Sequence, residues 1–440
     1  MYATECAGNP AFGANFAAMR RAHNISVIGR TIARKDESLK KGIFAVVVIA
    51  LMSYFPAIFS YLRIFYVLIF LVFFVFLYAV RFGSKAKREA LRSARYILGF
   101  FAYLALTAVW AQFPERTLIA VAVDLIFILV WGLFFALELT YKEEEIARLF
   151  VYVPWVVAAA FGYLLARFGA LRPFDEDSIA QIGATANICG QWLVMSLPFI
   201  YWLIRRGDKR RYIELCLTLL LIAIAQSRTA YVLALFLVAA EAYVYGKNLR
   251  HFLMEGVKFA VILVLLVASA WFLPATRPLV ADGIQRVALT HSDDEADYDI
   301  EREAMFLVGW EAFTEKPLLG IGYHNLGERI GEVFSREIES HNILLTLVAE
   351  CGWPALILFC LLIGEFFRRT SWAKAHRAIE SRGFYAACQL SLIAGLLTGM
   401  AFPLLELPVF YVVLGLGYAS GFPRRESGQV LISHPPLKAA

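Results

Sequence analysis

Residues 341–369 read HNILLTLVAECGWPALILFCLLIGEFFRR, and that stretch sets the fold class. From Ile343 to Phe367 it is almost uninterruptedly apolar, it ends on paired arginines, and it exceeds the roughly 20 residues a helix needs to cross a bilayer core. The same texture extends along the chain: 60% of the 440 residues are hydrophobic and only 18% are charged. A soluble globular domain carries about 25% charged residues, so the composition describes an integral membrane protein.

Runs of sufficient length bounded by charge, Gly or Pro number twelve: 43–61, 64–80, 96–112, 117–137, 149–166, 184–204, 212–226, 229–245, 256–273, 341–366, 384–402 and 405–422. The pair 212–226 and 229–245 is separated only by Gln226-Ser227-Arg228. The expected architecture is all-α, with about twelve transmembrane helices and one large helical loop. Its parts are an N-terminal segment 1–42, helices over 43–273, a loop or cap over 274–340, helices over 341–422 and a tail over 423–440.

The first span follows 42 polar residues carrying Arg20, Arg21, Arg30, Arg34, Lys35, Lys40 and Lys41, too long for a cleavable signal peptide. With both termini cytoplasmic, the inner segments hold 30 Lys/Arg and the outer ones 11, the asymmetry expected of inner connections. The net charge of +6 is thus distributed as topology signals and does not indicate nucleic-acid binding. Six cysteines, with no CxxC or Cys/His cluster, indicate neither a disulfide scaffold nor a zinc or iron–sulfur site. No P-loop glycine pattern occurs.

The outer connection from Pro274 to Ser340 is far longer than its counterparts and holds fourteen Asp/Glu against six Lys/Arg. Loops of that length are usually functional. Ile300, Ala304, Leu307 and Phe313 recur near helical spacing, and Pro317 with Gly320 and Gly322 ends the helix. The acidic run Asp293-Asp294-Glu295-Asp297-Asp299 lacks calcium-loop spacing and reads as a solvated surface.

Few residues suit chemistry. His341 stands where the loop re-enters the membrane, and an imidazole with a pKa near 6.5 is suited to general-base work there. The competing reading is a histidine at a capped helix start. Arg228 is a guanidinium between two apolar runs, a placement that is costly without a partner. It is either a two-point anion ligand or an interfacial arginine closing a turn. Arg302, among acids, is either a second anion ligand or one member of local ion pairs. Arg116, Arg167 and Arg172 lie near outer span ends, as phosphate ligands or as anchors. Gln191 and Asn187, in a span, either line a cavity or bridge helices.

These residues together resemble the O-antigen ligase and polymerase superfamily of bacterial envelopes. His341-Asn342, nine residues and then Gly352 match the ligase pattern of His, a small polar residue, nine positions and Gly. Ser227-Arg228 opens an outer-facing span, and Arg302 precedes Phe306 to Phe313 and then Lys316-Pro317-Leu318-Leu319-Gly320-Ile321-Gly322. The resemblance covers roughly residues 185–360. Ala355 and Val232 depart from the ligase pattern, where Gly, Thr or Tyr and Leu are usual. The resemblance implies a GT-C-like, metal-independent, inverting glycosyltransferase without cofactor in the bacterial inner membrane, its active site periplasmic. It would move O-antigen glycan from undecaprenyl diphosphate to lipid A–core. His341 would be the base, Arg228 and Arg302 would hold the diphosphate, and Arg167, Arg172, Gln191 and Asn342 would be secondary candidates. An O-antigen polymerase or a protein O-oligosaccharyltransferase would use the same chemistry. A secondary transporter or flippase is the alternative of another class, although the paired broken helices typical of such proteins are not evident.

Overall fold

The computed structural model describes residues 84–140, 142–168, 186–225, 227–245, 293–334, 342–377, 379–400, 404–405 and 408–421, with scattered positions between 250 and 281. The chain divides into Met1–Ala50 and Leu51–Ala440, and every described residue belongs to the second unit. The candidate spans 43–61 and 64–80 lie outside the described residues, and 256–273 lies largely outside them.

Among the described residues the protein is helical. The helices are α1 (Ser84–Leu106), α2 (Pro114–Thr140), α3 (Glu143–Phe150), α4 (Tyr152–Phe168), α5 (Ala186–Arg205), α6 (Tyr212–Ala225), α7 (Arg228–Tyr245), α8 (Asp293–Glu315), α9 (Leu326–Phe334), α10 (Ile343–His376), α11 (Ile379–Gly399) and α12 (Pro408–Ala419). Three stretches are long and apolar enough to cross a membrane, Glu143–Gly162, Ile188–Arg205 and Ile343–His376, and two shorter apolar ones are Thr229–Glu241 and Val409–Ala419. The protein is a membrane protein. The short runs 212–226 and 229–245 correspond to separate helices, α6 ending at Ala225 and α7 starting at Arg228, as the polar triplet predicts.

Two packed groups make the bundle. In the first, α1, α2, α10 and α12 meet through large rings: Phe100 lies 5.9 Å from Phe359, Phe101 6.0 Å from Tyr411, and Trp131 5.7 Å from Tyr418. In the second, α5 packs on α6, α7 and α11, with Phe199 stacked at 3.8 Å on Phe150 and Trp202 edge-on to Phe384. Small residues allow close approach where helices touch: Gly415 faces Trp131 backbone, Gly417 faces the Phe366 ring, and Gly395 faces the Met195 thioether.

Hydrogen bonds distinguish the bundle's two ends. At one, Arg369 donates to Ser93 Oγ at 2.8 Å and to the Tyr418 carbonyl at 2.7 Å, and Arg377 donates to the Ser420 carbonyl at 3.0 Å and approaches Glu143 at 3.8 Å. At the other, here the loop end, the α1–α2 connection meets the segment after α8. The basic residues Arg205, Arg206, Lys209, Arg210 and Arg211 follow α5 away from the loop end, since Trp202 lies against Phe384 near the start of α11.

The loop helix α8 differs from its predicted face. Its buried residues are Met305, Val308 and Ala312, clustered with Ile321, Leu326, Ile330 and Ala349, whereas Leu307 is exposed and Phe313 is partly buried. The physical reason is the partner: α8 lies along the first turns of α10, where Gly309 meets Leu345 so closely that a Cβ there would lie 2.8 Å from its Cδ2.

Candidate active site

The predicted span 341–366 is a helix with a sharp break. Inside α10, Gly352 adopts φ 72° and ψ −176°, a region essentially reserved for glycine. A break strands carbonyls above and N–H groups below, and unpaired backbone groups away from water cost several kcal/mol by transfer estimates. The segment after α8 supplies the partners. Ile321 N–H donates to the Ala349 carbonyl at 3.0 Å, Gly322 N–H donates to the Glu350 carbonyl at 2.7 Å, and Trp353 N–H donates to the Pro317 carbonyl at 3.1 Å. The Cys351 carbonyl accepts from the Tyr103 hydroxyl at 2.8 Å. Side chains at Gly320 and Gly352 would collide with each other's neighbours, Glu350–Cys351 and Leu318–Leu319, so each glycine admits the other segment's backbone.

Two buried polar groups complete this knot. The Glu350 carboxylate accepts from His324 N–H at 2.9 Å and from Leu326 N–H at 3.0 Å, the latter at the start of α9, where negative charge is favoured. His324 takes φ 61°, the left-handed region. Tyr323 donates to Asp124 Oδ2 at 2.6 Å, and its carbonyl accepts from Thr117 Oγ1 at 2.7 Å. Its N–H donates to Thr107 Oγ1 at 3.0 Å. Asn325 accepts from Phe113 N–H at 2.7 Å, Trp110 Nε1 donates to the Leu319 carbonyl at 2.8 Å, and Arg116 pairs with Glu328. Arg116 is thereby engaged in holding α9.

Glu350, Asp124, Tyr323, Asn325, Thr117 and Thr107 were not singled out in the sequence. Glu350 and Asp124 nevertheless carry a signal, because each is an ionisable side chain inside an apolar run, and such residues are functional candidates by default. Tyr323, Asn325 and Thr117 carry none, since their importance lies in contacts more than 200 residues apart in sequence.

The predicted site residues fall as follows. His341 and Arg172 lie outside the described residues. Arg228 is the first residue of α7, Arg302 lies within α8 and Arg167 near the end of α4; their side chains are outside the description. Asn342 is the N-cap of α10, its side chain accepting from Leu344 N–H at 3.0 Å and Leu345 N–H at 3.1 Å, so that side chain is engaged in capping.

Gln191 is buried, and neither atom of its amide has a hydrogen-bond partner. Its neighbours define where it stands. A Cβ on Gly190 would lie 2.8 Å from Ala230 Cβ and 3.2 Å from Ser227 Cβ, so α5 meets α7 at its first turn. One turn along, Ser391 donates to the Met195 carbonyl at 2.6 Å and Gly395 meets the Met195 thioether. A Cβ on Gly399, a further turn along α11, would lie 3.2 Å from Ile343 Cγ2. Gln191 therefore stands at the level where α7 and α10 begin. Helix N-termini carry a partial positive charge that favours anions, while the first turn of α10 is already capped by Asn342 and Ala230 N–H of α7 donates to Ser227 Oγ at 3.4 Å. Among the described residues no three His, Cys, Asp or Glu side chains gather to hold a metal ion.

Residues 213–360 match the sequence model of the O-antigen ligase family. Over this third of its length the chain is similar to that family. The matched stretch contains Arg228, Arg302, the knot segment 316–326, His341 and Gly352, while α1–α5, α11 and α12 flank it. No curated protein matches the chain. Members of that family are glycosyltransferase-like ligases and polymerases that act on lipid-linked glycans, and the match supports an enzymatic role in general.

Proposed function

We propose that the protein is an O-antigen ligase, which transfers glycan from undecaprenyl diphosphate to lipid A–core on the periplasmic side of the bacterial inner membrane. The observation that carries this reading is the match of residues 213–360 to the O-antigen ligase family, in a chain whose buried Gln191 amide, without a hydrogen-bond partner among the described residues, stands at the level where α7 and α10 begin. Arg228 at the head of α7, together with the positive end of that helix, suits a diphosphate.

In this mechanism the acceptor hydroxyl oxygen attacks the anomeric carbon from the face opposite the diphosphate, inverting it. The C–O bond to the diphosphate breaks as the new bond forms, and the electron pair leaves with undecaprenyl diphosphate. Arg228 and Arg302 neutralise the charge developing on that leaving group. His341, one residue before the α10 cap, takes the hydroxyl proton. Arg167 and Arg172 belong to the same anion-binding surface, and Asn342 fixes the helix start on which His341 depends. Neither a metal nor another cofactor enters the scheme.

The test is transfer by the purified full chain in vesicles with EDTA, given undecaprenyl-diphosphate-linked glycan and lipid A–core. Glycan on lipid A with the wild type, reduced about 10²–10⁴-fold by His341→Ala, is the expected result. Longer glycan still on the carrier would make the protein a polymerase. Glycan on a protein acceptor would make it an oligosaccharyltransferase, and transport without a covalent product would remove it from the transferases.

A further inference from the structure

α8 exposes Phe306, Leu307 and Trp310, while its exposed acids Glu311 and Glu315 are on the flank turned to Arg329 of α9, and Leu318 and Leu319 project just beyond the helix end, with Leu318 68% exposed. This surface is continuous with a stripe on α10. Trp310 packs 5.4 Å from Phe313, and Phe313 packs edge-on at 5.6 Å against Trp353. From Trp353 the exposed apolar residues recur at Ile357 and Leu361, four apart on one helix face. A stripe of exposed apolar side chains at four-residue spacing on a membrane-crossing helix faces lipid.

Depth follows from the charges below. Arg368, whose side chain is 68% exposed, cannot lie deep in hydrocarbon. At about 1.5 Å per residue, Trp353 stands roughly 22 Å along α10 from it. A hydrocarbon core is about 30 Å thick, so Trp353 and the loop backbone bonded at Pro317 lie no higher than the opposite boundary of that core. Gly309 is level with Leu345, and Trp310 is one position on. The α8 face therefore climbs through the headgroup layer, where tryptophan is favoured, and Glu303, a turn before Leu307, stands above it.

We propose that the loop is a membrane-inserted element. Phe306, Leu307, Trp310, Leu318 and Leu319 form an edge sunk among the lipids of the leaflet at the loop end, continuous with the lipid-facing stripe of α10. The partner of this surface is the bilayer itself. The assignment does not depend on the reaction catalysed.

The photoreactive residue p-benzoyl-phenylalanine, introduced singly in place of Leu307, Trp310 or Leu318 in the full chain, tests it. The positions are exposed, so the fold tolerates the change. The chain is reconstituted in phosphatidylethanolamine and phosphatidylglycerol vesicles, irradiated, and its lipid adducts are measured by mass spectrometry, with the same residue at Ile357 as the reference. Lipid adducts at all three positions reaching at least a third of the Ile357 yield are expected. A yield below that at Trp310 or Leu318 overturns the proposal, as does predominant cross-linking to a second copy of the chain.

Discussion

Glycine at 320 and 352 is required by geometry on both sides of a single contact. Gly352→Ala puts a Cβ into the Leu318 carbonyl and forces φ 72° on a residue that resists it. We expect this variant, and Gly320→Ala, to lose loop order and transfer activity together, seen as rapid proteolysis within 316–334. Intact protection with wild-type activity would count against the interlock. Glu350→Ala leaves the His324 and Leu326 N–H groups without acceptors, at about 1–3 kcal/mol each. Faster hydrogen exchange at those two amides is the expected signature. Gln191 has the opposite sign. Its amide is already unpaired in the resting protein, so Gln191→Leu should leave stability unchanged or raise it. If the amide meets substrate, the KM for the lipid-linked donor rises. Wild-type KM in a stable Gln191→Leu protein would remove Gln191 from the site.

Between α8 and α9 the bracing is ionic: Arg329 donates to both Glu315 oxygens at 2.6 Å. Those hydrogen bonds hold the Glu315 carboxyl below the usual carboxylate range. A carboxylate with a lowered folded-state pKa contributes fully above its unfolded value, near 4.3, and the contribution is lost as pH falls through the lowered value. The pair is solvent-exposed, so its worth is below about 1 kcal/mol. Amide exchange in α9 should therefore quicken as pH drops below about 4 once intrinsic rates are corrected for, and Glu315→Gln should abolish that dependence. An identical profile in the variant would show that the pair does not brace α9. At the head of α10, Asn342→Ala should cost about 0.5–2 kcal/mol, measured as a lower chemical-denaturation midpoint. Because His341 precedes this cap, kcat should fall more than KM rises.

Across the whole molecule, the bundle has a loop end and a basic end, joined by helices long enough to separate them by a bilayer. Val109 is exposed beside the knot, and Lys209 follows α5 at the far end. In sealed vesicles, an impermeant maleimide should label Val109→Cys and Lys209→Cys from opposite sides, over the background of the parent's own cysteines. Labelling of both from one side would contradict the two-ended arrangement. Arg377, Arg369 and Glu143 tie helix ends together at the end opposite the loop.

Helical periodicity and hydrophobic run length are local properties, so the sequence by itself determined the all-helical membrane class, the helices over 117–137, 184–204 and 384–402 to within five residues, and the separation of α6 from α7, whereas α1 begins at Ser84, twelve residues before the run 96–112. A short motif is likewise local, which is why Ser227-Arg228, the Pro-Leu-Leu-Gly segment and His341 to Gly352 pointed to the family. What the tertiary structure alone decided is that two of those motifs are one object. Gly352 and Pro354 weaken the helix locally, but the run 341–366 does not show that the break is stable, because that requires a segment some thirty residues earlier to satisfy the backbone groups it strands. The buried face of α8 was likewise set by Leu345 and Ala349 on another helix, which outweighed the Leu307 and Phe313 spacing. Pairings across more than 200 residues, such as Tyr323 with Asp124 or Thr117, follow from how the chain closes in space, and one-dimensional pattern carries no record of them.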